Sequence, residues 1–394
     1  MAGLMPAKRD NFRFLVYSRA LRSTAIIFMT LSFSLYLNAL KVSLLDIGFV
    51  AGGTMVFALL LTLTLGAVGD RRGYKYELII SEIFTTAGAF MIALSPSLPV
   101  IVAGMVIAGI SSGAGGMRGA FSPGSSAFVA SLYSEESERV KRFSVLTRTA
   151  AVFSIIGSLM FAGVSLISKY VGPLLAYRYF FMLAALLLVV SVMSLAMLEE
   201  ARRPKKTTRV MKKESAKYIL RVIVGNSLGG VGVGLAIPLL PLWFKLLYNA
   251  TPLEIGLIFG ISYVTTAFGA HVSSRISRRI GVLNTAASTR SLNGALLIAM
   301  AFSPILPLAG AIYILRALIA GSGSPTRSTM TVKGINGEDY GTATSLQGVA
   351  TRASQLSSGA SGYLMDYALP LPLALGGIFQ LASGALYKLL LKGR

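Results

Sequence analysis

The sequence predicts an all-α membrane protein with twelve transmembrane helices in two pseudo-symmetric six-helix halves. Three observations support this fold class: the composition, the spacing of the apolar runs and an internal repeat. Of the 394 residues, 54% are hydrophobic and 13% are charged, and the mean hydropathy is +0.70. Soluble domains carry about 25% charged residues. A soluble helical protein, the alternative, would need polar helix faces that most of these runs lack.

The apolar runs are long enough to cross a bilayer, since about 20 residues suffice for a helix. Turn-forming residues separate several of them, as at Ser95-Pro96-Ser97 and Gly172-Pro173. We number the predicted spans 1 to 12 and place them at residues 14–40, 44–68, 76–95, 98–131, 142–167, 174–198, 217–246, 252–275, 283–303, 305–330, 341–365 and 369–390.

Basic residues concentrate in the connections that follow even-numbered spans. These residues include Arg71, Arg72, Lys75, Arg139, Lys141, Arg142, seven cations between 202 and 213, Arg275, Arg278 and Arg279. Cytoplasmic loops of membrane proteins are enriched in Lys and Arg. We therefore expect a multi-pass protein of the cell (plasma) membrane with both termini in the cytoplasm. The net charge of +22 then reflects loops beside anionic lipid, and we expect no nucleic-acid partner.

An internal repeat relates the start of span 2 to the start of span 8. The segment Ser43–Gly48 reads S-L-L-D-I-G, and Thr251–Gly256, which begins 208 residues later, reads T-P-L-E-I-G. The repeat places Asp46 and Glu254 at helix starts, where a carboxylate complements the helix dipole. We expect both to act as helix caps.

The same spacing of 208 residues brings Gly73 opposite Gly281, so the similarity continues through the loop after each span. A long polar stretch lies near the midpoint of the chain. The sequence therefore predicts an N-terminal half of residues 1–198, a cytoplasmic linker of residues 199–216 and a C-terminal half of residues 217–394.

The loop between spans 2 and 3 reads G-A-V-G-D-R-R-G-Y-K from Gly66 to Lys75. Glycines at 66 and 69 permit close helix approach, and Asp70 is followed at once by cations. This pattern resembles the signature loop of the major facilitator superfamily of secondary transporters, in its twelve-span prokaryotic form. The end of span 7, with Trp243, and the segment from Arg316 to Gly323 in span 10 are also similar to that superfamily.

The resemblance implies the major facilitator fold and transport by alternating access, with a small organic solute held between the halves near the midplane. It also implies coupling to an ion gradient and a monomer in the bilayer. Two solute classes stay open: an organic anion, favoured by arginines in the spans, and a drug or amphiphile exchanged for protons, favoured by the intact loop. A membrane sensor without net transport is a third alternative.

Residues typical of enzymes are scarce. The chain has one histidine and no cysteine, and it shows no phosphate-binding loop and no carboxylate pair within the apolar runs. The sequence therefore predicts neither an enzyme nor a cofactor or metal site.

Ionisable groups inside a bilayer cost about 2.5–3.5 kcal/mol each on insertion scales, so they are candidates for function. A guanidinium in a span either pairs with a structural partner or holds an anionic substrate. The candidate substrate-binding residues are Arg118, Arg148, Arg316, Arg352, Tyr36 and Asn226. The candidates for proton coupling are His271, because imidazole titrates near neutral pH, and Glu82, which we expect to pair with a loop arginine.

The loop after span 2 suggests a conformational latch formed by Gly66, Asp70, Arg71 and Gly73. We expect it to hold the cytoplasmic ends of the halves together when the transporter is open to the outside. The variant Asp70→Asn should then favour the inward-open state and slow transport. Distance measurements between the halves, together with uptake into vesicles, test this. An unchanged conformational distribution with unchanged uptake would contradict the latch.

Overall fold

The computed structural model describes residues 11–110, 121–133, 136–200, 212–332 and 340–391. All regular elements in these ranges are helices. The α-helices are α1 (Asn11–Ala39), α2 (Leu44–Arg72), α3 (Tyr74–Leu94), α4 (Leu98–Ala108), α5 (Phe121–Leu132), α6 (Glu136–Ala162), α7 (Val164–Val171), α8 (Pro173–Ala196), α9 (Lys213–Ala236), α10 (Leu240–Tyr248), α11 (Pro252–Ile280), α12 (Val282–Ala301), α13 (Leu306–Val332), α14 (Tyr340–Ser354), α15 (Ser361–Tyr367) and α16 (Leu371–Leu391). A 3₁₀ helix, Gln355–Ala360, joins α14 to α15.

Each of the twelve predicted spans coincides with one helix or with consecutive helices. Within the described residues, nine helical segments are long and apolar enough to cross a membrane. The other three predicted spans correspond to α4 with α5, to α12, and to α14 with the 3₁₀ helix and α15. The predicted all-helical membrane fold is therefore confirmed.

The internal repeat produces the same local structure twice. At the start of α2, the backbone N–H of Asp46 donates to Ser43 Oγ at 3.1 Å. At the start of α11, the N–H of Glu254 donates to Thr251 Oγ1 at 3.3 Å, and the N–H of Thr251 donates to Glu254 Oε2 at 2.8 Å. The second site is a full capping box, as expected for Glu254. At α2 the cap is Ser43, and the carboxylate of Asp46 accepts from the Ser43 hydroxyl and not from a backbone N–H.

The two loop glycines of the repeat also adopt similar backbone angles. Gly73 has φ of +113° before α3, and Gly281 has φ of +83° before α12. Residues other than glycine rarely adopt positive φ values of this kind. Each glycine therefore lets the chain reverse directly from one long helix into the next.

Helices from the same half of the chain form similar packing groups. α1 and α3 both pack against α8, and α9 and α12 both pack against α16. α1 also packs against α6, and α11 packs against α13. These triple junctions, α1–α3–α8 and α9–α12–α16, are the places where the buried charges lie.

Several helix contacts join the first half of the chain to the second, and the most extensive involve α2 and α6. α2 contacts the 3₁₀ helix and α15, while α6 contacts α11. A Cβ built on Gly48 of α2 would lie 2.7 Å from the backbone nitrogen of Gly362, and one built on Gly52 would lie 3.0 Å from Cα of Gly359. A Cβ on Gly256 of α11 would lie 2.7 Å from the carbonyl oxygen of Ser158. At these glycines the backbones of the two facing helices are therefore in direct contact.

These close contacts all lie at one end of the helix bundle. We call the end that carries Arg71, Arg72, Arg278 and Arg279 the basic end. The glycine contacts lie near the connections 40–43, 249–251 and 368–370, which belong to the opposite end. In this structure the halves are therefore held together at the end away from the basic loops.

The variant Gly48→Ala should weaken the contact between the halves. Its Cβ would meet only backbone atoms of Gly359 and Gly362, and overpacking of this kind costs about 1–3 kcal/mol. The chain has no cysteine, so spin labels can be attached at Lys41→Cys and Tyr367→Cys. We expect Gly48→Ala to add a population with a longer distance between the labels.

Gly53→Ala in the same helix is the matched control. A Cβ there lies 3.7 Å from Val106, which is an ordinary contact, so its distance distribution should equal that of the parent protein. Equal distributions for Gly48→Ala and Gly53→Ala would show that the glycine contact does not control this end.

Candidate functional site

Opposite charges occupy corresponding positions in the two halves. Glu82 lies in α3 and Arg290 in α12, and they are separated by the same 208 residues as the two copies of the repeat. Each lies at the triple junction of its half, against α8 or α16. The carboxylate of the first half is thus replaced by a guanidinium in the second.

The first cluster is a buried ion pair between α1 and α3. Arg22 pairs with Glu82, and their side chains are 3% and 0% exposed. Ser191 of α8 donates a hydrogen bond to the same carboxylate. The guanidinium of Arg22 also lies 4.4 Å from the ring centroid of Phe121. The buried side chain of Arg19 lies near both members of the pair, so two cations surround one anion.

This geometry corrects the expectation for Glu82. We expected a loop arginine as its partner, but the partner is Arg22, which lies inside the first span. The helix packing explains the difference, because α1 and α3 both pack against α8 and so face one another. Glu82 therefore serves as the counter-charge that Arg22 requires in an apolar interior.

The second cluster is centred on Arg290 of α12. Its Nη1 donates to Ser383 Oγ at 2.8 Å and to the carbonyl oxygen of Gly225 at 3.2 Å. Ser383 Oγ in turn donates to the same carbonyl at 2.6 Å. The guanidinium carbon lies 5.4 Å from the ring centroid of Tyr387. Arg290 thus joins α9, α12 and α16 through neutral partners.

Two further arginines of α13 extend this second cluster. Arg327 Nη2 donates to the carbonyl oxygen of Ala320 at 3.2 Å, and its charge is close enough to be repelled by those of Arg290 and Arg316. Arg316 is 8% exposed and lies 5.5 Å from the ring centroid of Tyr313. Its Nε has no hydrogen-bond partner among the described residues.

The second cluster differs from the first in its charge balance. Within the part of the chain that the structure describes, no carboxylate lies within 4.0 Å of a nitrogen of Arg290, Arg316 or Arg327. A buried charge without a partner is strongly unfavourable. The arrangement is therefore suited to receiving an anion.

The structure does not gather the four predicted arginines into one site. Arg118 lies outside the described residues. Arg148 is exposed on α6, where its Nε donates to the carbonyl oxygen of Ser144 in the same helix at 3.4 Å. Arg352 is half-buried in the last turn of α14. Of the four, Arg316 alone is among the three arginines of the second cluster.

The two uncharged candidates lie in different surroundings. Tyr36 is fully buried, and its ring centroid lies 5.5 Å from that of Tyr177 and 5.4 Å from that of Phe181. Asn226 is buried in α9 beside Tyr387, and its Oδ1 has no partner among the described residues. Asn226 therefore adjoins the arginine cluster, whereas Tyr36 belongs to the aromatic core of the first half.

The predicted latch residues lie in and beside the loop between α2 and α3. A Cβ on Gly69 would collide with the carboxylate of Glu77, whereas a Cβ on Gly66 would meet no atom within 4 Å. Arg71 is exposed at the end of α2. Asp70 lies in the last turn of α2, and its side chain is outside the described residues. Of the glycines at 66 and 69, the local packing thus requires the one at 69.

Helix α3 is capped by the carboxylate of Glu200, a residue of the predicted linker. The backbone N–H groups of Tyr74 and Lys75 donate to the carboxylate of Glu200 at 3.0 and 2.7 Å. A Cβ on Gly73 would lie 2.7 Å from Glu200 Oε2. Glu200, which lies shortly after α8, therefore holds the loop between α2 and α3 in place.

His271 is exposed on α11, and no group of three metal-ligating side chains occurs among the described residues. Arg19, Arg22, Arg290 and Arg327 were not among the predicted site residues. All four lie within predicted spans, so the rule that selected Arg316 was sufficient to find them. The residues that contact these arginines cannot be identified in this way, because they come from other helices and meet the arginines only when the helices pack.

Comparison with known proteins agrees with this architecture. The sequence profile described as Major Facilitator Superfamily matches residues 15–359. The structure is similar to a crystal structure of an auto-inhibited peptide transporter of the POT family, with a TM-score of 0.77 and 13% identity over 98% of this chain and 97% of that one. It is also similar to a D-xylose–proton symporter, with a TM-score of 0.74 and 15% identity over 95% and 96% of the two chains.

A short stretch of the sequence matches a curated protein more closely. It is 42% identical over 64 residues to myo-inositol transporter 3A of Cryptococcus neoformans var. grubii serotype A. The match covers 16% of this chain and 11% of that transporter.

The variant Glu82→Gln should strongly destabilise the protein. It removes the carboxylate that pairs with Arg22 in the interior, and breaking such a buried pair costs about 3–5 kcal/mol. Thermal unfolding in detergent should show a clearly lowered Tm.

The control is Glu138→Gln, which removes the partner of Lys141 from an exposed pair at 3.3 Å. Such a pair contributes about 0–1 kcal/mol, so the Tm should hardly change. Equal Tm values for the two variants would show that the buried pair does not hold α1 against α3.

Proposed function

The chain belongs to the major facilitator superfamily of membrane transporters, and we propose that it carries a small organic anion across the cell membrane by alternating access. The proposal includes two halves, residues 1–198 and 217–394, joined by a cytoplasmic linker, 199–216. It also includes cytoplasmic termini, a monomeric state and a solute site between the halves. The packing groups and the repeat support this division.

One observation carries the choice of an anion. Arg290, Arg316 and Arg327 lie near one another in the second cluster, and the described residues supply no carboxylate to them. The charge of Arg327 is close enough to those of Arg290 and Arg316 to be repelled by them. A solute with a carboxylate or phosphate group would relieve this repulsion, whereas a cationic solute would add to it.

Arg316 is the residue through which the solute would be recognised. It is on α13, its Nε has no partner among the described residues, and Tyr313 supports its guanidinium from one side. Asn226 supplies a neutral polar group beside the cluster. Arg118, Arg148 and Arg352 stay candidates for contact with the solute in other stages of the cycle, and Tyr36 supports the helices around it.

The contacts between the halves suggest which stage the structure represents. They lie at the end opposite the basic loops. If those loops face the cytoplasm, as positive charge predicts, this conformation is open to the cytoplasm. The proposed latch of Gly66, Asp70, Arg71 and Gly73 lies at the basic end and would act in the opposite state. Coupling to protons would use His271, and Glu82 would act as the counter-charge of Arg22.

A polyol or sugar is the second candidate solute. The match of 64 residues to a myo-inositol transporter favours it. The asparagine at 226 suits hydroxyl groups as well as carboxylates. A drug or amphiphile exchanged for protons is the remaining alternative, favoured by the loop between spans 2 and 3.

Uptake into proteoliposomes separates these candidates. We would compare a panel of organic anions, myo-inositol and lipophilic cations in the parent protein, Arg316→Gln and Arg352→Gln. Loss of a charged hydrogen-bond donor weakens binding by roughly 1.5–3 kcal/mol, or about 10- to 150-fold. We therefore expect anion uptake at low concentration to fall by about this factor in Arg316→Gln.

Arg278→Gln is the matched control, because it removes one exposed arginine from the same half and should leave uptake unchanged. Uptake of myo-inositol that is insensitive to Arg316→Gln would favour the polyol. Uptake of lipophilic cations alone would favour the drug exporter. Either result would reject the anion proposal.

A further inference from the structure

We infer that Arg290 and Arg327 form an anion-binding site within the C-terminal helices, which takes a compact oxyanion such as a carboxylate or a phosphate. The site goes beyond the proposed function. It would bind its anion whether or not the transported solute is anionic, and its role is to supply the counter-charge that the described residues do not give to Arg290 and Arg327.

The comparison between the halves gives the first argument. In the first half, Glu82 is neutralised by Arg22. At the same spacing of 208 residues, Glu82 is replaced by Arg290 and Arg22 by Gly230. The second half has therefore gained a cation and lost its neighbour. A serine from the last helix of each half contacts the charged group, Ser191 at Glu82 and Ser383 at Arg290, although these two serines are 192 and not 208 residues apart. The second site therefore has a similar serine contact, but the described residues supply no opposite charge to it.

Two glycines, Gly229 and Gly323, lie against the guanidinium groups of Arg290 and Arg327. A Cβ on Gly229 of α9 would lie 3.1 Å from the guanidinium carbon of Arg290, and a Cβ on Gly323 of α13 would lie 2.5 Å from Nη1 of Arg327. Glycine at both positions makes room for the guanidinium groups. A side chain at either glycine would therefore compete with an arginine for the same space.

Arg290 and Arg327 both have N–H donors that the described residues do not use. A guanidinium has five N–H donors. The hydrogen bonds to described residues use Nη1 of Arg290 and Nη2 of Arg327. Neither residue has a fully buried nitrogen without a partner, so the remaining donors reach open space. Arg290 and Arg327 are half-buried and repel one another. An oxyanion that accepts from both would be held by charge-assisted hydrogen bonds.

The test begins with the purified chain in detergent. Its Tm is measured in sodium phosphate, in sodium acetate and in sodium chloride at equal ionic strength. A ligand that binds the folded state raises its stability, so phosphate or acetate should raise the Tm above the value in chloride. Arg290→Gln and Arg327→Gln should abolish the difference. The exposed control Arg278→Gln should retain it.

A second variant guards against misfolding of the arginine variants. Ser383→Asp places a carboxylate beside Nη1 of Arg290 and so gives it a partner of opposite charge, as Glu82 is for Arg22 in the first half. We expect it to fold and to lose the response to phosphate and acetate, although both arginines are present. This result would show that the missing counter-charge, and not the arginines alone, creates the site.

The source of the anion is distinguished by adding phosphatidylglycerol to the detergent micelles. Stabilisation by the lipid but not by inorganic phosphate would assign the site to a lipid headgroup, and the reverse would assign it to a free anion. The inference is overturned if no oxyanion stabilises the parent chain, or if Arg327→Gln and Ser383→Asp respond as the parent does. Anion uptake that depends on Arg316 would survive that outcome, so the two proposals fail separately.

Discussion

The need to balance charge in an apolar interior is the constraint on which this structure depends. Arg22 is tolerated between α1 and α3 because Glu82 lies against it, and the two helices are thereby fixed on α8. At the corresponding junction, Nη1 of Arg290 donates to a serine and to a carbonyl group, and these neutral partners do not remove its charge. The halves thus share a construction and differ in electrostatics, and this difference distinguishes a structural cluster from one suited to a ligand.

The fold follows from local patterns in the sequence. Apolar runs of membrane length predict the spans, and the segments that begin at Ser43 and Thr251 predict both helix caps because a cap depends on residues three positions apart. The charged clusters are different. Glu82 meets Arg22 from another helix, and Glu200 meets Tyr74 from more than a hundred residues away. Partners of this kind depend on how helices pack, and one sequence does not contain that information.

The candidate site was therefore predicted in part. Arg316 was selected because it interrupts an apolar run, and the same reasoning applies to Arg290 and Arg327. What the sequence could not show is that these three residues lie together without a carboxylate among the described residues. The spacing of 208 residues between positions 82 and 290 can be read from the sequence. It indicates a shared site only once the helix packing shows that both residues lie at equivalent helix junctions.

The contact of Gly48 and Gly52 with Gly359 and Gly362 has a consequence for the energetics of the transport cycle. Two backbones that meet through glycine immobilise almost no side chains, and side-chain ordering is a large part of the entropy lost in forming most interfaces. Closing this end therefore carries a small entropic cost, and opening it breaks few directional bonds. Neither conformation is strongly favoured by such a contact, so a modest binding energy elsewhere in the molecule suffices to shift the population from one to the other.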